Sequence, residues 1–339
     1  MKLPLGLTMG DPGGVGPWVA AQLALAPRTR SACRPVVIGD ASVLRTLRGL
    51  RARVRPLTSP EEARGTPGVL EVLHVPHPGI RALKKGGPSA VGGQAAALAL
   101  RSGAALCLQG RLKGLWTGPV SKESLAQAGL GDTGQTELLG RITGADRVEM
   151  VMMGGRLTVV LATRHVAVRE LPRALSARRI GECIGTAVGV ARAVSGVRRP
   201  RVGVCALNPH GRENSVLSRE ESAWIAPAVR RVWRGATVEG PRPADSLFRE
   251  GCEGKWDAIV AMYHDQAMIA LKVHAPEEIV NLTVGLPFLR VSPGHGTAFE
   301  LAGRPGLIRL GPGRAALERL ISLTRSLGGG GAKRYNLGL

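Results

Sequence analysis

The stretch AMYHDQAMIALK, Ala261 to Lys272, decides how the chain is read. An apolar run from Ala258 to Met262 has the length and composition of a short buried strand, and it ends in Tyr263, His264, Asp265 and Gln266. Side chains able to hold protons or ligands therefore stand just past a strand's C-terminal end, the place where open α/β sheets carry their chemistry. A single histidine in that setting is more often a hydrogen-bonded structural residue than a ligand.

Two further histidines stand in comparable settings. His165 follows LTVVLATRH, a β-branched strand pattern, and His210 ends the run VGVCALNPH at an Asn-Pro turn. Three neutral imidazoles at one sheet edge, with a coordination position left open, form the ligand set of a catalytic zinc-like site. Their spacing fits no compact metal motif, so the residues alone leave two readings open: a shared metal site, or three separate structural histidines.

The pattern around these strands is α/β throughout. Leu3 to Thr8, Pro35 to Asp40, Leu70 to Val75, Leu115 to Gly118, Val148 to Met153, Leu157 to Ala162 and Val202 to Ala206 read as strands. Helices are expected at Pro17 to Ala26, Ala90 to Leu108, Ser176 to Ser195, Glu220 to Trp233 and Arg314 to Leu327. This alternation argues for parallel sheets flanked by helices. The expected architecture is a two-lobed α/β/α enzyme, with 1–130 plus 300–339 in the first lobe and 131–299 in the second. The segment His77 to Ser89 reads as an exposed loop, and the glycine run at 328–331 as the start of a short free tail. The loop GDPGGVGP is open to two readings, an anion cradle at a helix N-terminus or a tight strand-to-helix turn. It lacks the G-x-G-x-x-G dinucleotide pattern.

Composition narrows the function classes. A chain of 339 residues, 44% hydrophobic and 21% charged, can bury a large core. No run approaches the roughly eighteen apolar residues of a membrane span, and the start MKLPLGLTMGDP breaks too early for a signal peptide, so a cytoplasmic protein with no membrane partner is expected. The scattered Cys33, Cys107, Cys183, Cys205 and Cys252 include no C-x-x-C pair and read as reduced core residues. Lys and Arg exceed Asp and Glu by 46 to 25, a net +21. The basic residues are dispersed and only 3% of residues are aromatic, so a solvated arginine-rich surface is expected and no nucleic-acid partner.

Seven strings occur in order: TMGDPGGVGP (8–17), TGPVSKE (117–123), LNPHGRE (207–213), PADSLF (243–248), YHDQAMIALK (263–272), NLTVGLPFLR (281–290) and HGTAFELAG (295–303). They run in order from Thr8 to Gly303, nearly the length of the chain, and in them it resembles the 4-hydroxythreonine-4-phosphate dehydrogenase family of vitamin B6 biosynthesis. The resemblance implies a fold similar to the isocitrate and isopropylmalate dehydrogenases, with the active site in the interlobe cleft at a dimer interface. It implies His165, His210 and His264 as ligands of a divalent metal, zinc first, with magnesium or cobalt as alternatives. One ligand would come from the neighbouring subunit of an obligate homodimer. It implies Gln135, Thr136, Lys272, Asn281 and Arg290 as binders of a phosphorylated substrate, with NAD or NADP as cofactor. Arg and Lys suit phosphate or carboxylate oxygens, and Asn adds an uncharged hydrogen bond. Asp245 and Asp265 are the carboxylates considered for proton transfer or for orienting a ligand imidazole; capping or turn roles are the alternative.

The expected reaction is oxidation and decarboxylation of 4-phosphohydroxy-L-threonine to 3-amino-2-oxopropyl phosphate. Two positions depart from the family pattern: Gln135 stands where a histidine is usual, and Gly294 where aspartate is common. Glutamine can exchange hydrogen bonds but cannot carry a proton near neutral pH, which bears on substrate choice rather than on reaction class. His295 reads as a residue of a packed turn. The alternatives are a sister dehydrogenase acting on a four-carbon sugar-acid phosphate (threonate or erythronate 4-phosphate) or on a cis-dihydrodiol carboxylate, a nucleic-acid binder, and a metal-dependent hydrolase with the same ligands.

Overall fold

The computed structural model describes residues 2–131, 134–211 and 219–328. The expected tail beyond Gly328, and Arg212 and Glu213 of the LNPHGRE string, lie outside the described residues.

Strands run β1 Pro4–Thr8, β2 Arg34–Gly39, β3 Arg53–Leu57, β4 Val69–His74, β5 Leu115–Thr117, β6 Glu149–Gly154, β7 Leu157–Leu161, β8 Arg201–Cys205, β9 Thr237–Arg242, β10 Ala258–Ala261, β11 Val280–Val284 and β12 Arg290–Pro293. Helices are α1 Gly16–Leu25, α2 Pro27–Ala32, α3 Ala41–Arg45, α4 Ala90–Leu108, α5 Lys122–Gln127, α6 Gln135–Thr143, α7 Leu171–Ala174, α8 Ala177–Ser195, α9 Ala226–Val229, α10 Ala244–Cys252, α11 His264–His274 and α12 Gly311–Ser326. The mixed α/β class expected from the alternation is what forms.

The chain divides into two compact units. The first takes the described residues up to Val148 and those from Leu286 onward; the second is Glu149–Gly285. In the first, the strands lie in the order β3-β4-β2-β1-β5-β12, all parallel. Its core gathers Val36, Ile38, Leu100, Leu112, Leu115 and Phe288 around α4. By length and composition α4 could cross a membrane, yet Leu100, Ala96 and Ala104 are fully buried, as a core helix requires. Its Ser89 cap accepts from the Gly92 N–H at 3.0 Å.

In the second unit the order is β11-β6-β7-β10-β8-β9. Here the expectation of a purely parallel sheet needs correction: β6 pairs antiparallel with both β7 and β11. Only Gly155 and Arg156 separate β6 from β7, and a connection that short can join only antiparallel strands. The remaining pairings, β7 with β10, β10 with β8 and β8 with β9, are parallel.

The helix expected over Glu220 to Trp233 is shorter and different. A π-helical turn covers Glu221–Ile225 and α9 stops at Val229. Pro227 has no N–H to give to an α-helical ladder and crowds the turn before it, which accounts for the break. β3 and β9 escaped the sequence reading because they are terminal strands of their orders, with polar residues and prolines at 56 and 241 that a central strand would not tolerate.

Candidate active site

The second unit brings two of the three histidines together. β7 and β10 lie side by side, and their ladder continues past both ends: Ala162 donates its N–H to the Ala261 carbonyl at 2.8 Å. Thr163 then gives both its N–H (3.2 Å) and its hydroxyl (2.8 Å) to the Met262 carbonyl. Two residues beyond each contact stand His165 and His264, with ring centroids 5.8 Å apart and planes tilted by 40°. His264 is the first residue of α11, and its Nδ1 lies 2.6 Å from Asp265 Oδ1. A neutral ring that gives its Nδ1 proton to this carboxylate keeps Nε2 as its lone-pair donor. Asp265 also sits in the first turn, where the helix dipole favours a negative charge.

His210 is exposed and has φ of 64°, with Gly211 following at 67°. A left-handed backbone costs a residue with a Cβ about 1–2 kcal/mol, although histidine adopts it more readily than most. Among the described residues, no three His, Cys, Asp or Glu side chains are grouped as a metal ion would need them. The structure thus pairs His165 with His264. As a donor set the pair fits a divalent ion: two imidazoles, one of them oriented by a carboxylate.

The first unit builds a different cluster. Arg290 opens β12 and is 1% exposed, among the largest fully buried side chains. Its Nε and Nη2 donate to Thr117 Oγ1 at 3.0 and 2.8 Å, Nη2 to Gln135 Oε1 at 3.2 Å, and Nη1 to Thr136 Oγ1 at 3.4 Å. Gln135 and Thr136 start α6, and β5 ends in Thr117. Burial depresses the guanidinium's pKa to about 10, against the opposing pull of Glu137. It remains cationic at neutral pH, with the Glu137 carboxylate acting on it from the first turn of α6.

The other expected site residues are more dispersed. Asp245 is exposed in the first turn of α10 and Lys272 in the last turn of α11. Asn281 lies on β11 opposite Met152, and its Oδ1 is buried with no hydrogen-bond partner. The ring Nδ1 of His295 lies 2.9 Å from the Gly296 carbonyl, in keeping with a turn residue.

The glycine-rich first loop resolves in favour of the tight turn. A Cβ on Gly14 would stand 2.5 Å from the Thr297 carbonyl oxygen, and Val15 donates its N–H to that same oxygen at 2.9 Å. The Thr297 backbone approaches Gly14 too closely for any side chain there, which accounts for the glycine without a ligand. Thr117 and Thr163 carry no role in the sequence reading, and Gln266 stands there only among the polar residues that end the apolar run.

Comparison with known proteins gives the site its context. The family described as pyridoxal phosphate biosynthetic protein PdxA matches residues 31–317. A 4-hydroxythreonine-4-phosphate dehydrogenase of Geobacter metallireducens is 38% identical over 330 residues, covering 96% of both chains. A D-threonate 4-phosphate dehydrogenase of Cupriavidus necator is 39% identical over 311 residues, 88% of this chain and 91% of the relative. The crystal structure of 4-hydroxythreonine-4-phosphate dehydrogenase from Klebsiella pneumoniae superposes with a TM-score of 0.84 at 35% identity, covering 96% of this chain and all of the other.

Proposed function

Because the chain belongs to the PdxA family of pyridoxal phosphate biosynthesis, we propose that it is a nicotinamide-dependent dehydrogenase that oxidises and decarboxylates 4-phosphohydroxy-L-threonine to 3-amino-2-oxopropyl phosphate. The observation that carries this reading is the buried Arg290. In this reading the guanidinium, held at 1% exposure among Thr117, Gln135 and Thr136, is the group that recognises an anionic part of the substrate. Lys272 and Asn281 are the further substrate contacts in this reading, and the unpartnered Asn281 Oδ1 is an acceptor in need of a donor.

His165, His264 and His210 would hold a divalent ion, zinc first, in a homodimer whose partner subunit completes the ligand set. When bound, that ion would lower the pKa of the substrate's secondary hydroxyl, and NAD or NADP would accept the hydride. Asp265 keeps the His264 ring in the tautomer that ligation requires. Asp245 is the carboxylate proposed for proton transfer.

A second reading has a specific observation behind it. Gln135 uses its amide oxygen on Arg290 where the family pattern has histidine, and a D-threonate 4-phosphate dehydrogenase is among the close relatives. The test is reduced-nicotinamide absorbance with 4-phosphohydroxy-L-threonine and NAD or NADP, before and after chelation and zinc add-back. A metal-dependent rise supports the first reading. A rise only with D-threonate 4-phosphate moves the protein to the second, and no rise with either substrate overturns both.

A further inference from the structure

The turn that carries His210 is tied to the rest of the second unit by two side chains that no part of the reaction uses. Gln266 sits in the first turn of α11, two residues after His264. Its Oε1 accepts the Met262 N–H at 2.8 Å and its Nε2 donates to the Ala206 carbonyl at 2.8 Å. One amide thus joins the end of β10, from which His264 follows, to the end of β8, from which His210 follows. Glu221 holds the next two residues of the β8 side. It is 2% exposed; its Oε1 accepts the N–H groups of Leu207 (2.9 Å) and Asn208 (2.7 Å), and its Oε2 accepts from Asn208 Nδ2 at 3.1 Å. Glu220 Oε2 takes a second bond from Asn208 Nδ2 at 3.0 Å.

We infer that Gln266 and Glu221 are positioning residues that fix the His210 turn relative to the paired rings of His165 and His264. His210 has a positive φ of 64°, a conformation that costs a residue with a Cβ about 1–2 kcal/mol and is better kept when the flanking backbone is held. A buried carboxylate has to be compensated, and the three donors that meet Glu221 all belong to Leu207 and Asn208. The π-helical turn at Glu221–Ile225 is the local irregularity that carries this carboxylate. With Thr163 bound to the Met262 carbonyl, a continuous chain of hydrogen bonds runs from the His165 loop through Met262, Gln266 and Ala206 to the His210 turn.

The inference rests on the metal-site reading of the three histidines, and the experiment separates the two. Zinc affinity is measured on metal-free, full-length protein by competition with a chromogenic chelator, at a temperature where circular dichroism shows every variant folded. Gln266 and Glu221 bond the backbone beside the ligands and not the rings, so Gln266→Leu and Glu221→Gln should each weaken zinc binding by up to about 10-fold, the low end of the loss seen when a direct outer partner of a ligand is removed. The double variant should lose less than the product of the two, since both act on one turn. Asn208→Ala, which removes only side-chain bonds, keeps the test available should Glu221→Gln not fold, and should also weaken binding. Zinc affinity equal to wild type in these variants, alongside loss of zinc in His264→Ala, overturns the inference and leaves the metal site standing. Zinc affinity unchanged in both His264→Ala and His210→Ala overturns the metal site itself.

Discussion

The guanidinium of Arg290 straddles the hydroxyl of Thr117, with Nε at 3.0 Å and Nη2 at 2.8 Å from one oxygen. One small hydroxyl thus satisfies two donors of a buried cation. Thr117→Val keeps the shape and removes the acceptor, so it should destabilise the protein by about 1–3 kcal/mol, the cost of leaving buried donors unmet. Thr117→Ser should retain most of the stability. Urea unfolding of the two variants checks this; equal midpoints would show that the hydroxyl is dispensable.

Arg290 itself is expected to work against stability and for binding. Its pKa, depressed to about 10 by burial, means that folding disfavours the charged form. Between that value and the higher pKa of the unfolded chain the unfolded state binds more protons, so stability rises with pH there; below about 10 the burial penalty is fully present. Arg290→Met should therefore fold with a Tm no lower than wild type, while the KM for the phosphorylated substrate rises steeply. Arg290→Lys should also raise KM, because a point charge cannot reproduce the fork that reaches Thr117, Gln135 and Thr136. A large fall in Tm for Arg290→Met would contradict this account.

Gln135 can be returned to the residue the family pattern carries. Its amide oxygen accepts from Arg290 Nη2 at 3.2 Å, so a ring in its place would face a fixed positive charge. Gln135→His should add an ionisation to the pH profile of kcat/KM, placed below the ordinary histidine value of about 6.5 because the neighbouring guanidinium disfavours a second cation. The wild-type profile should lack that limb. Identical profiles would mean that position 135 does not take part in turnover.

Much of this was legible in the sequence, for physical reasons that can be named. Buried strands such as Leu157–Leu161 and Ala258–Ala261 are continuous apolar runs, and the histidines follow them directly. Pairing of His165 with His264 is the part of the site that strand order delivers, since β7 and β10 are neighbours. What stayed hidden depends on side chains meeting across long sequence separations. Arg290 reaches Thr117 across 173 residues and Gln266 reaches Ala206 across 60, and no local period encodes either contact. The antiparallel turn at Gly155 and the π-helical turn before Pro227 were missed because both depart from a pattern that holds elsewhere.

The Arg179–Glu149 pair gives a test of how the strand end before His165 is held. Glu149 is fully buried, and Arg179 binds both of its carboxylate oxygens while its Nε donates to the Ala162 carbonyl at 2.8 Å. Glu149→Gln removes the compensating charge but not the bonds to backbone, so a loss of about 3 kcal/mol is the expected upper range for a half-shielded arginine. The same variant should weaken zinc binding modestly, because Ala162 leads to His165. Unfolding free energy together with chelator competition measures both, and a stability loss without any change in zinc affinity would confine the pair to a structural role.

Asp11 supplies the pH-dependent case. Its carboxyl is fully buried, Oδ1 accepts the Gly13 N–H at 2.9 Å, and Oδ2 has no hydrogen-bond partner. Burial raises its pKa above the ordinary 3.8, against the lowering effect of Ser124 and the Gly13 N–H. For an acid with a raised folded pKa, the native state holds its proton longer than the unfolded state does. Stability is therefore greatest below the unfolded value and falls as pH rises through the interval up to the folded value. Asp11→Asn keeps a neutral group of the same shape, so it should be at least as stable as wild type at pH 7 and should lose that advantage as the pH falls toward 4. Urea unfolding at the two pH values measures the difference. If Asp11→Asn were instead markedly less stable at pH 7, the carboxylate would have to be compensated by a charge that burial and hydrogen bonding at this loop do not account for.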